Sequence, residues 1–153
     1  MKKLIVLLSI VLLSFAPANE ISIKGFSLGQ TTEKNELHTT VAGVQGVLYL
    51  VKLKNQRIYM MVFAPTDNYG NKTRVLNYEV ENLTNAFEKK FGITMKKKVD
   101  SNSKYTLSAT KEDYTFQISV QHHENSNKPY EVTARVFSIS LKEKKLAEIT
   151  SDI

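Results

Sequence analysis

Residues 47–64 constrain the fold more than any other stretch, because the chain there is apolar on both phases of a two-residue period. Val47, Tyr49, Val51 and Leu53 fall on one face, and Leu48 and Leu50 on the other. After a turn at Asn55-Gln56 the pattern returns, with Ile58, Met60, Val62 and Ala64 on one phase and Tyr59, Met61 and Phe63 on the other. Successive side chains of a strand point to opposite faces, so two apolar phases mean a strand with both sides occupied. The pair reads as a hairpin near the middle of a sheet. Pro65 stops it, and Asp67-Asn68-Tyr69-Gly70-Asn71 forms a polar loop.

The rest of the chain supplies partners for that hairpin. Leu76, Val80, Leu83, Phe87 and Phe91 recur at spacings of four and three, the stripe of an α-helix. Glu79 and Glu81 near its start and Lys89 and Lys90 near its end match the helix dipole, and Gly92 suits a left-handed C-terminal residue. A meander follows. Ile93, Met95 and Val99, then Tyr105, Leu107 and Ala109, then Phe116, Ile118 and Val120 each alternate with polar residues. Val132, Ala134 and Val136 then give way to Phe137, Ile139 and Leu141, a phase shift that predicts a bulge. Residues 21–28 read as a strand bulged at Gly25. Thr31 or Thr32 is placed to cap a short helix through Leu37, Gly43 and Gly46 bracket a loop, and residues 142–153 suggest a short C-terminal helix. The expected fold is α+β: an antiparallel sheet of about five to seven strands, one main helix at about 76–91 packed on one face, and short N-terminal and C-terminal helices. Helix followed by strands, twice over, hints at an internal symmetry.

The N-terminus gives an address. Met1, Lys2 and Lys3 form a positive head, Leu4 to Phe15 are almost wholly apolar, and Ala16-Pro17-Ala18 places small residues before Asn19. This is the layout of a signal peptide cleaved after Ala18, leaving residues 19–153 as a single exported domain in the periplasm or outside the cell. The apolar run falls short of the roughly 20 residues of a permanent span, so the expectation is no integral membrane protein after cleavage. Cysteine is absent, so no disulfide staples the domain and no lipid-bearing Cys follows the leader. Lys2 and Lys3 contribute two of the net +6 charges. The remaining surplus is scattered and fits solubility better than nucleic-acid binding.

The segment Gly25-Phe26-Ser27-Leu28-Gly29-Gln30-Thr31-Thr32 resembles the G-x-x-L-G-M-T opening of small exported bacterial proteins, with Gln30 in the place of Met. The β-barrel-assembly accessory lipoproteins and the β-lactamase-inhibitor-like proteins open in this way. Ala86-Phe87-Glu88-Lys89-Lys90-Phe91-Gly92 is similar to the L-x-x-K-Y-G helix ending of exported proteins. The resemblance implies a non-enzymatic protein that binds another protein, as an inhibitor, an immunity factor or an envelope-assembly accessory.

Few residues suggest chemistry. His122-His123-Glu124 is the one dense group of ligand types, but neighbouring strand residues point apart, which weighs against a shared metal. No G-x-S-x-G elbow, cysteine nucleophile or glycine-rich phosphate loop occurs. The carboxylate pairs Glu79/Glu81 and Glu112/Asp113 fall at a helix start and a turn. The expectation is a protein without enzymatic activity or cofactor, with His122 and His123 as the alternative for a metal-dependent or hydrolytic role. Among binding candidates, Tyr59, Met61 and Phe63 share the second face of one strand and form a patch for a protein partner if nothing covers them. Lys96, Lys97 and Lys98 form a basic cluster. Lys96 and Lys98 point outward as an alternative contact for an anionic envelope surface, and Lys97 points inward as protection for an edge strand.

Overall fold

The computed structural model describes residues 21–151. The leader expected over residues 1–18 and its cleavage site lie outside the described residues. In chain order the elements are a small hairpin of β1 (Ser22–Ile23) and β2 (Phe26–Ser27), then β3 (Glu36–Val41), β4 (Val44–Lys52), β5 (Ile58–Pro65), α1 (Asn77–Phe91), β6 (Lys96–Ser101), β7 (Lys104–Lys111), β8 (Tyr114–His122), β9 (Tyr130–Ser138) and α2 (Ile139–Thr150). Strands β3 to β9 form one seven-stranded sheet in the order β3-β4-β5-β9-β8-β7-β6, every neighbour antiparallel. Two meanders, β3-β4-β5 and β6-β7-β8-β9, meet at the β5–β9 seam. Helix α1 carries the chain from the middle of the sheet to its far edge.

Helix α1 forms where its stripe predicts. Val80, Leu83, Phe87 and Phe91 are buried against the sheet. The Glu79 carboxylate reaches back to accept a hydrogen bond from the Leu76 amide (2.7 Å), satisfying a donor that the first turn leaves unpaired. Gly92 ends the helix at φ 59°, the left-handed conformation a side chain resists. Phe91 lies against Phe116 (4.8 Å between ring centroids) and edge-on to Phe87 (5.6 Å). Beneath the helix, Leu48, Met61, Phe63, Phe116, Ile118, Val120 and Val136 are at most 1% exposed. Each such side chain contributes about 1.5–3 kcal/mol by leaving water, so this single layer of contacts dominates the fold.

Several expectations need correction. No helix forms over Thr31–Leu37. The Asn35 carbonyl instead accepts from the Leu50 amide (2.7 Å), Thr31 bridges to Arg57, and Glu36–Val41 pair with β4 as an edge strand. The β-branched Thr39, Thr40 and Val41 favour that outcome over a helix. Gly43 belongs to the β3–β4 turn and Gly46 lies within β4, so the two do not bracket a loop. Residues 21–28 fold back on themselves at Lys24-Gly25 (φ 51° and 83°), making a hairpin rather than a bulged strand. The phase shift after Val136 is a change of element: β9 ends at Ser138, and Ile139 and Leu141 belong to α2. A bulge occurs where none was expected, between β4 and β5. Val51 pairs with Met60 and Lys52 with Ile58, and the extra residue, Tyr59, lets Ile58 join the core. The internal symmetry reduces to two meanders flanking one helix.

Helix α2 is anchored by a polar knot. The Ser138 hydroxyl accepts from the Leu141 amide (3.2 Å) and donates to Asp113, whose carboxylate also accepts from the Ser140 amide (2.9 Å) and hydroxyl (2.8 Å). Burial pushes the Asp113 carboxyl up, and these hydrogen bonds outweigh it, holding the group below its ordinary value. At the other end of α2, Glu148 accepts from the Lys54 amide (3.1 Å) at the β4–β5 turn.

Candidate functional site on the second sheet face

Partner residues of an antiparallel pair project to the same face, so the register sorts the sheet into cross-strand rows. One row reads Leu37, Leu48, Phe63, Ala134, Ile118, Leu107 and Lys97. This is the face covered by α1. The neighbouring row reads Glu36, Tyr49, Val62, Arg135, Gln117, Ser108 and Lys96. It crosses all seven strands on the opposite, second face.

The rows decide where each residue singled out from the sequence stands. Met61 (0% exposed) and Phe63 (1%) lie under α1, so they are core and present no surface to a partner. The face expected to be open is the covered one, because the α1 stripe packs on that phase of β5. Tyr59 is half-buried as the extra residue of the bulge, and burial pushes its hydroxyl pKa up. Strand β6 is a sheet edge and splits its lysines. Lys96 and Lys98 are exposed on the second face, in register with Ser108 and Thr106. Lys97 faces the other way, with its ammonium 4.1 Å from the centroid of the Tyr105 ring. His122 packs against Tyr130 (5.2 Å between rings), while His123 Nε2 lies 3.3 Å from Glu131. The two imidazoles therefore engage different neighbours. Among the described residues, no three His, Asp or Glu side chains gather as metal ligands do.

The second face divides into an apolar end and a polar end. Over β4, β5 and the start of α2 it carries Tyr49, Val51, Met60, Val62 and Phe137. Leu53 and Leu141 are buried there, apart from the main core. Lys142, Leu146 and Ile149 form one stripe of α2. Lys142 lies 4.7 Å over the Phe137 ring, and Leu146 and Ile149 remain 56% and 52% exposed. Tyr49 is 40% exposed. Over β7, β8 and β9 the same face is polar, with Thr106, Ser108, Gln117, Ser119, Gln121 and Thr133.

Arg135 sits at the boundary. Its Nη2 donates to Ser119 Oγ (3.3 Å), and its Nε is buried with no partner. No ion pair reaches it among the described residues. A shallow depression of about 200 Å³ opens beside it, lined in part by Lys104, Ser119, Gln121, Glu131 and Thr133. Glu131, the acid of that depression, is already engaged by Lys72 and His123. The Lys72 hydrogen bond, against a smaller effect of burial, holds its carboxyl below the ordinary range. These groups can hydrogen-bond and pair charge. Ser119 Oγ has an arginine, not a histidine, as its neighbour.

Periodicity in β9 marks Val132, Ala134 and Val136 and passes over Arg135 on the other phase. Its signal was a lone cation on the other phase of a strand bounded on both sides by neighbours. The C-terminal helix expected over residues 142–153 carries Leu146 and Ile149 as the exposed border of this face. No protein-family model, no curated protein and no solved structure matches this chain.

Proposed function

We propose that this is an exported protein that works by binding another protein through the second face of its sheet, without catalysis. The observation that carries the reading is the unequal cover of the two faces. Helix α1 buries the centre of one, whereas the other keeps Tyr49, Leu146 and Ile149 exposed around the half-buried Val62 and Phe137. Exposed aromatic and aliphatic groups set among polar ones are the composition of a recognition surface. Seven strands at about 4.8 Å spacing, six to nine residues long at about 3.3 Å per residue, make a face of roughly 900 Å². That is about what one partner contributes to a standard protein–protein interface. The signal-like leader supports an encounter in the periplasm or outside the cell, and the resemblance of residues 25–32 to accessory and inhibitor proteins supports a binding role. Among the described residues no helix is long and apolar enough to cross a membrane.

The test is a photo-crosslinking amino acid placed at Tyr49 in the chain expressed with its leader in its native cell. Capture of an envelope or exterior protein at Tyr49, absent from the same probe at Asn127 and lost on Leu146→Asp, supports the reading. Equal capture at both positions sinks it, as does a natural product that retains residues 1–18 in a soluble cytosolic fraction.

A further inference from the structure

We infer that Arg135 is a carboxylate-binding residue and that the partner of the second face presents an Asp or Glu side chain to it; this deepens the binding role proposed above and rests on it. An arginine keeps its charge throughout the physiological range, so it cannot escape burial by losing a proton as a lysine can. A buried donor without a partner is costly, and more so when the group is charged. In the free protein Arg135 carries that penalty. Its Nε has no acceptor, and Ser119 holds only Nη2, at 3.3 Å.

The chain offers no internal remedy. Glu131 stands four residues away on the same strand, about 13 Å, and Lys72 and His123 hold it. Glu36, in the same row, is three strands away, about 14 Å. The environment instead suits an incoming acid. Val62 borders Arg135 on one side, lowering the local dielectric and strengthening any pair formed there. Gln117 flanks it on the other side, a second donor in register. Lys104 lines the same depression, and Lys96 and Lys98 lie on the same face, so the approaching surface meets a positive field. The paired N–H donors of a guanidinium match the two oxygens of a carboxylate, which gives orientation as well as attraction. Charge complementarity therefore selects an acidic protein surface over a second copy of this chain, whose own second face carries the same surplus of cations.

The experiment reads the three arginine Nε–H signals by nitrogen-15 NMR on residues 19–153, with Arg57 and Arg74 as internal references. The probes are a hexaglutamate peptide, a hexaglutamine peptide and inorganic phosphate at equal ionic strength. The expected result is a saturable shift of the Arg135 signal with hexaglutamate only, with binding weakened at least about tenfold in Arg135→Gln. Arg135→Met is expected to fold with an unfolding constant no larger than the parent's, because it removes a buried Nε–H that has no acceptor. A shift no larger than that of Arg74, an equal response to phosphate, or a clear loss of stability in Arg135→Met overturns the assignment. So does a shift that grows with protein concentration alone, since the occupant is then a second copy. If Arg135 stays silent while crosslinking at Tyr49 still captures a partner, the carboxylate contact fails and the binding face stands. If Arg135 binds hexaglutamate while Tyr49 captures nothing, the protein-binding role of the face fails instead.

Discussion

Two single residues show how closely local chemistry is tied to the sheet. Gly46 is not at a turn. It lies in β4 opposite Pro65, where an added Cβ would stand 2.4 Å from the Ala64 carbonyl oxygen and 2.6 Å from the Phe63 ring. The backbone oxygen cannot move aside, so Gly46→Ala displaces either β5 or the ring that fills the core. The expected cost is about 1–3 kcal/mol, read as a fall in urea midpoint with an unchanged slope. Asp113 gives the corresponding test in pH. Burial raises its carboxyl, and the hydrogen bonds from Ser138 and Ser140 lower it by more, so the folded value lies below the unfolded one. A depressed carboxyl stabilises the fold above its unfolded pKa of about 3.9 and loses that contribution as pH falls through the folded value. Asp113→Asn is therefore expected to be less stable than the parent by about 1 kcal/mol at pH 7, the scale of a helix cap. The gap should close as the pH drops below about 4, the ordinary carboxyl value. A gap that is constant from pH 7 to 3 would show that charge on Asp113 plays no part in holding α2.

At the scale of elements, the edge strand β6 carries the clearest consequence. Its residues Lys96–Ser101 are all exposed, and its outer edge has no partner in the sheet. An unpaired edge invites pairing with another chain, and an inward-facing charge is one way of preventing it. Lys97 occupies the core-side row beside Leu107 and covers the Tyr105 ring, and Val99 next along that phase is 67% exposed. Replacing Lys97 with Ile extends an apolar stripe to the rim, so Lys97→Ile is expected to raise light scattering and apparent mass with concentration, whereas Lys98→Ile does so less. The same strand shows why the sequence was legible where it was. Alternation is plain in β7, β8 and β9 and marked those strands, and the register of β6 puts Lys97 on the core-side phase. The α1 stripe was equally plain, with its Glu79 start and its Gly92 stop. Ambiguity arose where both phases are apolar. In β4 and β5, periodicity alone does not say which phase meets the helix, so it leaves open whether Met61 and Phe63 or Tyr49 face solvent. Capping chemistry misled at Thr31–Leu37, because a plausible cap says nothing about the backbone of β4, which waits with an unpaired edge for Glu36–Val41. Arg135 is illegible for a related reason: a lone arginine acquires meaning only when the structure shows that no acid among the described residues pairs with it.

The whole molecule is two meanders held along one seam, and that arrangement dictates how it should open. Strands β8 and β9 share nine paired positions and β7 and β8 share eight, whereas β5 and β9 share four, from Met60–Phe137 to Phe63–Ala134. By backbone pairing alone the seam is the weak line, and the meanders would part there. Burial argues the opposite. Met61, Phe63, Ala134 and Val136 at the seam are each at most 1% exposed beneath α1, and α2 packs over β5 and β9 on the other side. Separating the halves would expose that apolar surface at once, together with the helix connecting them, at a cost of several kcal/mol. Side-chain burial outweighs the missing ladder, so the seam should survive until the whole fold is lost. The edges differ: β6 is exposed throughout and β3 on alternate residues, so each can fray while the rest holds. Native-state hydrogen exchange separates the two accounts. Amides of Val62, Phe63 and Val136 should exchange only through global unfolding and track the urea-melt stability, while those of Lys97 to Asp100 should exchange at least about a thousandfold faster through local opening. If β3, β4 and β5 instead exchange together at a rate well above that of β8 and β9, the seam is the first part to break. The two meanders would then be separate cooperative units, and the second face could not present Tyr49 and Arg135 as one rigid surface.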